Sequence, residues 1–81
     1  MFNAVPAFVE SSARYERTEK MKFQLAGFES WTFQLVFCGS LLVLEAERDG
    51  VLLSTILQPM DCTRTRIHEL IRQPSCTLAN H

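Results

Sequence analysis

Cys62, His68, Cys76 and His81 are the side chains of this sequence best suited by type to hold a metal ion, with five, seven and four residues between them. Zinc accepts thiolate and imidazole ligands. The spacing works against a shared site. On a helix running over 61–73, Cys62 and His68 stand about 240° apart around the axis and face no common point. His68 beside Glu69 offers the residue types of a general acid–base pair. Neighbours on a helix point about 100° apart, so the two do not form a dyad. Cys62 close to Arg64 and Arg66 has electropositive surroundings of the kind that activate a thiol. No histidine is placed to take its proton. Glu45, Glu47 and Asp49 form an acidic rim beside a turn, which a solvated hairpin end explains without a metal. Phosphate-binding glycine loops, zinc-protease, nucleophile-elbow and calcium-loop motifs are all missing. The expectation is a protein without catalytic residues, metal or cofactor.

Basic residues raise a second possibility. Arg14, Arg17, Lys20 and Lys22 gather at one junction of the chain, and Arg64, Arg66 and Arg72 decorate a second segment. A four-stranded sheet followed by a helix is an arrangement that single-strand-binding proteins also use, an analogy of fold alone. Such sheets need exposed aromatics among the basic side chains. Here Phe23, Trp31, Phe33 and Phe37 fall on the expected core face, with Glu45 and Glu47 on the open one. Eight Lys and Arg against nine Asp and Glu leave a net charge of −1, which gives no long-range pull toward nucleic acid.

The elements that must position these residues fit in 81 residues, enough for a single domain spanning 1–81. Hydrophobic residues make up 47% and charged residues 21%, which excludes a disordered tail. Three cysteines are an odd number, and the first twenty residues lack the pattern of a secretory signal. Both facts point to a reducing, cytoplasmic compartment. The apolar run Trp31–Leu44 is too short and too interrupted to span a membrane.

Gly39-Ser40 and Asp49-Gly50 are two-residue hairpin signals, each flanked by apolar residues. Strand alternation tests them. The first turn pairs Phe37 with Leu42, Leu35 with Leu44 and Phe33 with Ala46. The second pairs Leu42 with Leu57, Leu44 with Thr55 and Ala46 with Leu53. A three-residue loop at Phe28-Glu29-Ser30 brings Met21, Phe23 and Leu25 opposite Phe37, Leu35 and Phe33. One face stays apolar through all three connections. The expected fold is α+β: a four-stranded antiparallel meander (strands about 20–27, 31–38, 41–48 and 51–58) between an N-terminal helix at 4–19 and a C-terminal helix at 61–73. A short tail, 74–81, follows. Asn3 would cap the first helix, and Asp61 or Thr63 the second. The second would carry Met60, Thr63, Ile67, Leu70 and Ile71 on one side. Its core would join Ile67, Leu70 and Ile71 to Phe23, Leu25, Phe33, Leu35, Phe37, Leu42, Leu44 and Leu53.

The other face reads as solvated, with Lys22, Gln24, Gln34, Thr32, Glu45, Glu47 and Ser54. One end of it differs. Val36, Cys38, Leu41, Val43 and Ile56 form an apolar patch under this register, and such patches mark interaction sites. Beside it the edge strand Val51–Leu57, which includes Leu52, carries neither charge nor proline, although free edges are normally blunted. Either the first helix or the tail covers this region, or a partner does. The function expected is therefore that of a small non-enzymatic regulator or inhibitor, of the kind phages and mobile elements encode. It would bind another protein through Val36, Cys38, Leu41, Val43, Leu52 and Ile56, as a homodimer in the first instance. The alternative is a nucleic-acid-binding regulator using the basic residues above.

Overall fold

The computed structural model describes residues 6–11, 21–76 and 78. Among these residues the chain is α+β: an antiparallel sheet of five strands and one C-terminal helix. The strands are β1 (Val9–Glu10), β2 (Lys22–Phe23), β3 (Thr32–Cys38), β4 (Leu41–Arg48) and β5 (Val51–Leu57), in the order β1-β5-β4-β3-β2. A 3-10 turn at Pro59–Asp61 leads into helix α1 (Arg64–Ile71).

Both two-residue hairpins form where the turn residues allow. Asp49 and Gly50 both adopt positive φ, 51° and 81°, as a turn of primed type I requires. Gly39 adopts φ 62° and Ser40 does not, which suits a glycine-first turn of primed type II. The strand partners across β3, β4 and β5 match the alternation: Phe37 faces Leu42, Leu35 faces Leu44, Leu44 faces Thr55 and Ala46 faces Leu53.

Three expectations need correction. The first is the N-terminal helix at 4–19. Residues 6–11 form no helix, and Val9 and Glu10 pair with Ser54 and Leu53 of β5. The Ser11 N–H donates to the Leu52 carbonyl at 2.9 Å, so this segment satisfies backbone groups that β5 would otherwise expose. On a helix Val5, Phe8, Val9 and Ala13 would make only a narrow apolar stripe, weak support that sheet pairing outweighs. Asn3, Ala13 and the rest of that expected helix lie outside the described residues.

The second concerns the first strand, expected at 20–27 with Phe23 opposite Leu35. Only Lys22 and Phe23 pair, and Phe23 faces Phe33, a slip of two residues that keeps the same face. Two successive turns consume the chain in between. The Phe28 N–H donates to Leu25 O at 3.0 Å, and the Trp31 N–H donates to Phe28 O at 2.9 Å.

The third concerns helix length and its apolar side. The helix covers Arg64–Ile71 rather than 61–73. Pro59 begins a separate 3-10 turn, and Thr63 caps α1 by accepting from the Arg66 N–H at 3.2 Å. Pro74 disfavours helical backbone at Gln73 before it. Met60, expected on the apolar side of the helix, is 79% exposed.

The core lies between α1 and one sheet face. Ile67, Leu70 and Ile71 pack with Phe23, Leu25, Trp31, Phe33, Leu42, Leu44, Ala46, Leu53 and Leu57. Phe8, Cys76 and Leu78 join the same cluster, so the described part of the tail lies on the helix side. Leu35 is half-buried and Phe37 is 74% exposed, although both were expected in the core. Both lie in β3 beyond the two residues that pair with β2, whereas Leu42 and Leu57, in the same cross-strand row as Phe37, are buried. The cover is therefore missing on the β3 side of the sheet and not across its whole Gly39-Ser40 end.

Candidate interaction surface

The second face of the sheet is organised in cross-strand rows. Lys22, Gln34, Glu45, Ser54 and Val9 stand opposite one another across all five strands. On the Gly39-Ser40 side of this row come Val36, Val43 and Ile56, and then Cys38 and Leu41. On the other side come Thr32, Glu47 and Leu52, which with Lys22, Gln34 and Glu45 line a shallow polar recess. The sheet face is thus split into a polar half and an apolar half.

The polar half departs from the expected solvated face. Gln34 and Glu45 are 5% and 2% exposed. Central strand β4 is buried on both faces from Leu42 to Ala46. Polar groups survive such burial when they are hydrogen-bonded. Among the described residues no buried side-chain nitrogen or oxygen lacks a partner.

The apolar half gathers five of the six residues expected at an interface. Val36 and Val43 are buried at its floor and Cys38 is half-buried, while Leu41 and Ile56 remain open at 47% and 63% exposure. Leu52 is not part of it, because Ser54 separates it from Ile56 and it lines the polar recess. Val9 is added: paired with Ser54, it stands diagonal to Ile56 and is 62% exposed. Diagonal neighbours lie roughly 7–8 Å apart, so Val9, Ile56 and Leu41 form one stripe. None of its members is charged. Phe37 adds exposed apolar surface on the opposite face at the same end of the sheet, and Met60 is exposed in the turn after β5.

Sequence reasoning missed Val9 because it lay inside the expected helix, and Phe37 because alternation reports the face of a strand but not its cover. Phe8 is buried and Val9, in β1, is exposed, but both are apolar, so the sequence carried no alternation that would have revealed the strand.

The open edge expected at Val51–Leu57 is occupied where β1 pairs with it. The sheet now ends in two strands of two residues each. Glu10 sits in one and Lys22 in the other, and Pro6 precedes β1. Short, charged or proline-bearing strands are the features that discourage strand addition. Recognition by side chains is better served than recognition by main chain.

The residues considered for chemistry are dispersed. Cys62 is exposed and Cys76 is buried in the core. The His68 Nε2–H donates to the Ala26 carbonyl at 2.7 Å, and its ring meets Phe28 edge-on. This contact fastens the β2–β3 connection to α1. Glu69 accepts from Arg66 Nη1 at 3.2 Å rather than facing His68. His81 lies outside the described residues. Among the described residues no three His, Cys, Asp or Glu side chains come together as a metal site.

The basic residues are also partly engaged. Arg66 Nε donates to Asp61 at 2.9 Å, and its hydrogen bonds to Asp61 first and Glu69 second raise the guanidinium pKa above its usual value. The Arg64 guanidinium lies 5.1 Å from the Phe23 ring centre, and Arg48 lies 4.3 Å from that of Trp31. Arg72 is exposed, and Lys22 lines the recess. Arg14, Arg17 and Lys20 lie outside the described residues. Among the described residues no helix is long and apolar enough to cross a membrane.

No family model matches this chain, no curated protein matches it in sequence, and no solved structure matches it in fold.

Proposed function

We propose that this chain is a small non-enzymatic protein-interaction module that binds a polypeptide through the apolar end of its sheet. The observation that carries this reading is the uncharged stripe Val9–Ile56–Leu41, exposed beside the buried Val36 and Val43. An apolar side chain that passes fully from water into an interface gains about 1.5–3 kcal/mol, and half-exposed ones gain in proportion. A second copy of the chain is the first occupant, as an uncharged stripe does not repel its own kind and can form a two-fold contact. The near-neutral chain charge of −1 adds no long-range repulsion between copies. Regulation or inhibition of a further protein is the biological role this surface suits.

Light scattering at micromolar concentration tests it. The parent is expected at twice its 9.3 kDa chain mass, and Ile56→Lys at the single mass and still folded. A parent that stays at the single mass would remove the second copy as occupant. An Ile56→Lys chain that unfolds would show the stripe to be internal core.

A further inference from the structure

We draw no further inference here: the strongest candidate, the polar recess on the second sheet face lined by Lys22, Thr32, Gln34, Glu45, Glu47 and Leu52, carries nothing because Lys22, Gln34 and Glu45 already have partners and, among the described residues, no buried side-chain nitrogen or oxygen is left unsatisfied to mark a ligand.

Discussion

Leu44 and Phe37 occupy the same face of the sheet in adjacent strands, and alternation alone assigns both to the core. The structure separates them: Leu44 is 0% exposed and Phe37 is 74% exposed. Truncating each to alanine should therefore give very different results. Leu→Ala at a fully enclosed site costs about 2–5 kcal/mol in transfer and cavity terms. Phe37 has only about a quarter of its surface covered, so a quarter of the about 1.5–3 kcal/mol for full burial gives roughly 0.4–0.8 kcal/mol. At about 2.1 cal/mol/K per residue, the 81 residues carry an unfolding entropy near 170 cal/mol/K. Leu44→Ala should then lower the melting temperature by about 12–30 °C, and Phe37→Ala by about 2–5 °C. Total stability for a chain this size is about 4–12 kcal/mol, so Leu44→Ala could remove most of it. Circular dichroism melts at submicromolar chain concentration, where association does not contribute, provide the measurement. Equal losses from the two variants would refute the idea that the core's cover stops short of Phe37 on the β3 side. A Leu44→Ala chain melting within two degrees of the parent would refute the helix-side core itself.

Val43 and Ile56 face one another on the second face, yet Val43→Glu should unfold the chain while Ile56→Lys leaves it folded, because Val43 is 6% exposed and Ile56 is 63% exposed; far-ultraviolet circular dichroism separates the two outcomes. His68→Ala removes the bond to the Ala26 carbonyl and should cost about 0.5–1.5 kcal/mol. Faster hydrogen exchange at Phe28 and Trp31, with exchange in β4 little changed, would place that loss in the β2–β3 connection. Thr63→Ala removes the helix cap and should cost about 1 kcal/mol by urea unfolding, with Thr63→Ser largely restoring it. Glu29 accepts the Gly27 N–H at 2.9 Å, and that bond, with its own backbone N–H, holds the carboxyl below its ordinary value of 4.5. Its folded value is the lower one, so its contribution is complete above 4.5 and is lost as pH falls through the folded value. Nuclear magnetic resonance titration of the Glu29 carboxyl should show a midpoint below that of an unstructured Glu, and a midpoint at or above it would contradict the turn.

The central hairpins were legible in the sequence because their information is local. Gly39-Ser40 and Asp49-Gly50 set both turns, and apolar alternation then fixed the partners of β3, β4 and β5 without reference to the rest of the chain. The apolar side of Ile67, Leu70 and Ile71 was equally local, and the cap was narrowed to Asp61 or Thr63, of which Thr63 serves. By the same alternation the patch of Val36, Cys38, Leu41, Val43 and Ile56 could be assembled beforehand. What depended on distant contacts was not legible. Residues 9 and 10 become a strand because β5, more than forty positions away, offers unpaired backbone groups, and no periodicity within 4–19 records that. The two-residue slip at Phe23 preserves the face, so alternation could not detect it. Above all, period-two patterning tells which face a side chain takes but not what lies over that face. Leu44 is enclosed and Phe37, on the same face, is open, while Glu45 is buried on the side expected to be wet. Burial is a property of the whole assembly of elements, and only the tertiary structure decided it.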